Sequence, residues 1–223
     1  MPVLDARNAA LEEELVRDPD DLMSYAVYGD WLAEQGDPRG ELIATQLAAE
    51  QGDPAMRRAA ARVYSRHREY FLGSLADTIA GGAFEWRAGF IQRARLAYEL
   101  LLFVDGARVA TSVEQLVEQL LAHPSARFLV DLTLGTIGRD RWGRALGHHQ
   151  AAIAKLVAAR PRTLRRLHLG DVGSNANASL GPLEAVWPAV PGLHELVLEG
   201  DFELGASELP ELRRVELRPA TLR

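Results

Sequence analysis

Apolar residues in the last hundred positions recur in one six-residue phrase, apolar-x-x-apolar-x-apolar. The copies are Leu129-x-x-Leu132-x-Leu134, Leu164-x-x-Leu167-x-Leu169, Leu193-x-x-Leu196-x-Leu198 and Leu212-x-x-Val215-x-Leu217. A fainter copy, Ile91-x-x-Ala94-x-Leu96, precedes them. Side chains of an extended chain alternate between two faces, so each phrase predicts a short strand with its apolar residues turned to a core. The central apolar residues are separated by 38, 35, 29 and 19 positions. The longer units leave room for a returning helix at 112–122 and another at 148–159, whereas the last has room only for a short return. Pro124, Pro161, Pro191 and Pro210 stop the preceding helix or loop and feed the chain into the next strand.

If the strands lie side by side in chain order, the outward positions form three rows. The first is Arg93, Asp131, Arg166, Glu195 and Arg214; the second is Arg95, Thr133, His168, Val197 and Glu216. The third is Ala97, Gly135, Gly170, Glu199 and Arg218. The first row alternates in sign at every step. Such a row largely neutralises itself and is poorly suited to capturing a polyanion, but a patterned partner surface can match it.

The N-terminal third has helical spacing instead, with helices predicted over 6–17, 21–35, 38–51 and 54–73. Three Asp-Pro pairs, Asp18-Pro19, Asp37-Pro38 and Asp53-Pro54, precede helix-like segments, and Glu-Gln-Gly-Asp-Pro occurs twice. In that pentapeptide Gly ends one helix, Asp caps the next and Pro occupies its first turn. Tyr25, Tyr28 and Trp31 give the second helix an aromatic face for anchoring its neighbours and the first strand. Arg58, Arg62 and Arg66 form a ridge on the fourth. The ridge suits phosphate, an acidic partner or self-association; its simpler reading is a solvated face paired with the acidic N-terminal helices.

The segment from Tyr28 through Glu41, Tyr-Gly-Asp-Trp-Leu-Ala-Glu-Gln-Gly-Asp-Pro-Arg-Gly-Glu, resembles the signature of a bacterial repeat-companion domain, as does the preceding Arg17–Asp21. Phe84–Ile91 resembles the lead-in from such a domain to leucine-rich repeats, and the six-residue phrase resembles the strand part of those repeats. The resemblance implies an α/β chain: a helical domain over 1–80, then a short, irregular leucine-rich-repeat-like solenoid over 81–223 with a parallel sheet of four to five strands. It brings no catalytic activity with it. The Asn expected after each phrase is replaced by Ile137, Val172 and Asp201, so a compact α/β sheet with helices on one face is the competing architecture. Gly29 stands where the signature has Ala, at about 1 kcal/mol of helix preference.

Composition narrows the function. The net charge is −6, and residues 1–80 carry 15 acidic against 8 basic side chains, leaving the remainder near +1. That balance disfavours a general nucleic-acid binder. Cysteine is absent, which removes disulfides, thiolate metal sites and a cysteine nucleophile and fits a reducing cytoplasm. The first residues lack the pattern of a signal peptide, and no apolar run has the length of a membrane span.

His148-His149 with Asp140 is the most suggestive reactive set and defines the enzyme alternative, a hydrolase. Adjacent histidines point about 100° apart on a helix, however, so they ill suit one metal ion. Asp30, Glu34, Asp37 and Glu41 lack the spacing of a calcium loop. Asp30 is placed to bond a neighbouring backbone group or Arg39. Gly170–Ser174 is no Walker loop, and Ser174 and Ser179 lack a nucleophile elbow. Trp142 and Trp187 read as packing over repeat edges or as binding anchors. The expectation is therefore a non-catalytic protein-interaction, scaffold or adaptor module without cofactor or metal. Its partner-binding residues would be Arg93, Arg95, Arg166, His168, Glu195, Arg214 and Glu216. A phosphate or nucleic-acid site on the Arg58/Arg62/Arg66 ridge is a further alternative.

Overall fold

The computed structural model describes residues 5–101, 103–104, 107–108, 111–139, 145–146, 148–171 and 178–219. The N-terminal third forms α1 (Ala9–Arg17), α2 (Leu22–Glu34), α3 (Pro38–Glu50), α4 (Pro54–Arg66) and α5 (Arg68–Leu72). Asp37 and Asp53 cap α3 and α4 through Arg39 N at 2.8 Å and Ala55 N at 2.7 Å. Asp18 departs from the expected grammar. It ends α1, and Asp21 caps α2 instead. The expected fourth helix is two, because the chain breaks at His67 (φ −114°, ψ 25°) before α5 turns Phe71 inward.

The mixed α/β chain contains a seven-stranded, mostly parallel sheet. Its strands are β1 (Phe84–Arg87), β2 (Phe90–Leu96), β3 (Asp131–Gly135), β4 (Arg166–Asp171), β5 (Ser179–Pro182), β6 (Glu195–Glu203) and β7 (Arg214–Pro219). Their order is β1-β2-β3-β4-β6-β7, with β5 alongside the far end of β6. β1 is antiparallel to β2 through a two-residue turn at Ala88 and Gly89, both at positive φ, and the other neighbours are parallel. All five phrases therefore lie side by side in chain order. Helices α6 (Val113–Ala122) and α7 (Gln150–Ala159) cover the apolar side, where Leu116, Leu120 and Leu156 join Leu132, Leu134, Leu167 and Leu169 in one core. Ser112 and Gln115 close a capping box on α6. β7 differs: Val215 and Leu217 on its core-facing side stay 49% and 44% exposed, because no described helix returns beneath it.

The helices pack directly against the sheet. Tyr25, Tyr28, Leu32 and Ile43 share a core with Phe90 and Phe128, in which the Phe90 and Phe128 rings meet edge-on at 4.8 Å. The fully buried Arg39 crosses the same junction, donating to Gly89 O at 2.6 Å and Ser125 Oγ at 3.1 Å. Asp30 is exposed, and of the two bonds expected for it the one to Arg39 is not made. Gly40 lets α2 and α3 touch: a Cβ there would lie 2.5 Å from Ala33 N and 2.6 Å from Gly29 O.

Candidate functional site

The outward rows come together in the expected register. Arg93 lies opposite Asp131, Asp131 opposite Arg166, Arg166 opposite Glu195, and Glu195 opposite Arg214. Arg95, Thr133, His168, Val197 and Glu216 form the second row in the same way. This alignment follows from parallel in-register pairing, which keeps the apolar residues of every phrase on the helix-covered side.

The third row breaks. Gly135 pairs with Asp171 rather than Gly170, because the register between β3 and β4 shifts after Leu134. Gly170 adopts φ +92°, and a Cβ there would meet Glu199 O at 2.0 Å, so the bulge needs glycine. The slip turns Asp171 toward Arg95, whose Nε donates to Oδ2 at 2.6 Å, while Arg95 Nη2 reaches Glu99 at 3.0 Å.

Every predicted face residue with a charge has a neighbour to match. Arg166 lies 3.4 Å from Glu195 and 3.9 Å from Asp131, and Arg93 lies 3.3 Å from Glu85 and 3.9 Å from Asp131. Arg214 approaches Glu216 at 3.7 Å, and Arg218 reaches both Glu216 and Glu199. His168 Nε2 lies 2.9 Å from Glu199 Oε1. Burial pushes the Asp131 carboxyl above its ordinary value; Arg166 and Arg93 oppose that shift, while Glu85 and Glu195 add to it. The face is thus polar, close to neutral and held in fixed pairs. Sequence spacing placed Glu199 beside Arg218, as the register has it, but missed Asp171, which the bulge brings onto the face.

At the strand starts the face opens into a polar groove of about 400 Å³. Arg93, Arg166 and Glu195 line it from the sheet, Asp20 from the α1–α2 turn and Glu50 from the end of α3. His194 lies here too. Partial burial, then the charges of Arg213 and Arg165, lower its proton affinity below the ordinary imidazole value.

The other candidates separate. His149 is fully buried at the N-terminus of α7, with Nε2 2.9 Å from Gly135 O, whereas His148 is exposed. The two imidazoles occupy different environments; Asp140, Trp142 and Ser174 lie outside the described residues. Trp187 is 2% exposed and donates Nε1–H to Leu204 O at 2.8 Å, which makes it a packing residue. On α4, Arg66 comes within 3.9 Å of Glu41, but Arg58 and Arg62 have no ionic partner among the described residues. The expected pairing of the whole ridge with the acidic helices is therefore confined to its end. Among the described residues, no helix is long and apolar enough to cross a membrane and no group of three or more His, Cys, Asp or Glu is disposed to hold a metal ion.

No family model matches the chain, and no curated protein matches it. Among solved structures, a crystal structure of a protein from Bacteroides fragilis aligns with a TM-score of 0.47 and 17% identity over 75% of this chain. The chain spans 45% of that protein's length.

Proposed function

We propose that this chain is a non-catalytic recognition module, in which a helical repeat-companion domain packs on a short leucine-rich-repeat-like sheet. The outward strand face engages a protein partner, with Arg93, Arg95, Arg166, His168, Glu195, Arg214 and Glu216 as the contact residues. The observation that carries this reading is the ladder Arg93–Asp131–Arg166–Glu195–Arg214, aligned residue by residue across five strands. Lateral ion pairing limits side-chain freedom before a partner arrives, so less ordering entropy is lost on contact. Alternation of sign rejects uniformly charged surfaces and selects a partner with the complementary pattern. The parallel strands, helical returns and units that shorten toward β7 support the repeat-like reading. The direct packing of α2 and α3 on β2 supports the companion role.

The test is a crosslinking pull-down from the native host with the wild-type chain and with Arg166→Glu and Glu195→Arg introduced singly. Each reversal places like charges side by side in the ladder, and loss of the same specific partner from both variants is expected. Identical partner sets for wild type and variants would overturn the strand-face reading.

A further inference from the structure

We propose that the groove between α3, α4 and β1 is a second binding site, which takes an acidic, amphipathic helical segment of a protein partner. It does not rest on the strand-face reading, although it adjoins the polar groove there and shares Glu50, Trp86 and Arg87 with it. The groove measures about 550 Å³, within the range of built ligand sites, and its floor is apolar: Ala49, Ala60, Ala61, Tyr64 and Trp86. Tyr64 and Trp86 meet edge-on at 5.1 Å and are only partly buried, so both present ring surface to the groove.

Helical geometry explains how α4 builds one wall. At 100° per residue, Arg57, Ala61 and Tyr64 fall on the groove side, Ala60 and Val63 point to the core, and Arg58 and Arg62 follow on the outer flank. An apolar strip thus passes directly into a basic one. Arg57, Arg58 and Arg62 are exposed, and their guanidinium groups make no ion pair or hydrogen bond among the described residues. The contrast with the sheet is what gives this weight: there, every cation of the predicted face has a carboxylate beside it. The unmatched positive charge of this otherwise acidic region is concentrated beside its apolar groove.

The length of the basic strip selects the occupant. From Arg57 to Arg62 the helix advances about 7 Å and turns through more than a full revolution, so the three guanidiniums diverge too far for one carboxylate on a small amphiphile to answer. A segment with apolar residues at helical spacing and several Asp or Glu on its flank fits both surfaces at once, the helix-in-groove mode of recognition. A single-stranded nucleic acid supplies repeated anions as well, but the surrounding acidity of residues 1–80 repels a polyanion that extends beyond α4.

The experiment is selection of a random 16-residue peptide library against the full chain, followed by affinity measurements on the enriched sequences. Enrichment of peptides rich in Asp and Glu with apolar residues at three- and four-residue spacing is expected. Their affinity should fall at least about tenfold with Arg58→Glu/Arg62→Glu, and again with Ala61→Glu on the groove floor. All three positions are exposed, so unchanged thermal unfolding serves as the folding control. Enriched peptides without an acidic excess, or equal binding to both variants, would overturn the proposal. Tighter binding of an oligothymidylate, lost in the same variants, would overturn it in favour of nucleic acid.

Discussion

The guanidinium of Arg39 donates to the carbonyl of Gly89 at 2.6 Å, joining the first turn of α3 to the β1–β2 hairpin across 50 positions of sequence. Among the described residues no carboxylate forms an ion pair with this buried cation. It rests 4.6 Å from the Phe90 ring centroid and 5.5 Å from those of Tyr70 and Phe71, while Tyr70 donates onward to Asp37 at 2.7 Å. Burial lowers the affinity of Arg39 for its proton, with Tyr70 and Asp37 opposing.

This arrangement predicts an order of substitutions. Arg39→Lys keeps a buried charge but loses the planar fork and its stacking, and should cost about 2–4 kcal/mol. Arg39→Met keeps the length, drops the charge and retains contact with the rings, so it should cost less. Ser125 Oγ still donates to Phe71 O at 2.7 Å in that variant, leaving Gly89 O as the acceptor that loses its partner. Urea unfolding at neutral pH distinguishes the two, and the reverse order would show that the positive charge itself holds the junction.

Gly29 and Gly40 face each other where α2 crosses α3. A Cβ on Gly40 meets backbone, 2.5 Å from Ala33 N, so Gly40→Ala must part the helices and should cost about 2–4 kcal/mol. A Cβ on Gly29 meets only the Ile43 side chain, at 2.8 Å from Cγ2, and Ala regains about 1 kcal/mol of helix preference. Gly29→Ala should therefore be the milder change. Thermal melts of both variants test the ranking, which fails if Gly29→Ala melts lower than Gly40→Ala.

These glycines also mark where sequence reading stops. Strand order and the first two outward rows were legible because one alternation, repeated in phase, has few ways to bury its apolar side. The caps of α3 and α4 were legible because Asp-Pro chemistry is local. What Gly29 accommodates was not, since helix preference alone makes it a defect and only the Ile43 methyl explains it. The role of Arg39 was not legible because its partners, Gly89 and Ser125, lie 50 and 86 positions away. The third row held at Glu199 and Arg218 but broke at Gly135, where the bulge with Asp171 goes with the close approach of Gly170 to β6.

Two carboxyls should give stability opposite pH dependences. Glu12 is buried; desolvation works against its charge, but hydrogen bonds from Arg7 and Tyr28 and the charge of Arg127 hold its proton affinity below the ordinary value of 4.5. The unfolded chain therefore takes up this proton first on acidification. The stabilisation is complete above 4.5 and is lost as pH falls through the lower folded value. Glu12→Gln should be less stable than wild type by about 1–3 kcal/mol at neutral pH, with the gap narrowing as pH falls below 4.5 through the lower folded value. Asp131 has the other sign: burial raises its folded value above 3.8, so its contribution falls as pH rises from 3.8 through that value. Asp131→Asn should gain on wild type between acid and neutral pH while Glu12→Gln loses ground. Denaturant titrations at several pH values read both trends, and parallel curves for the two variants would contradict the assigned environments.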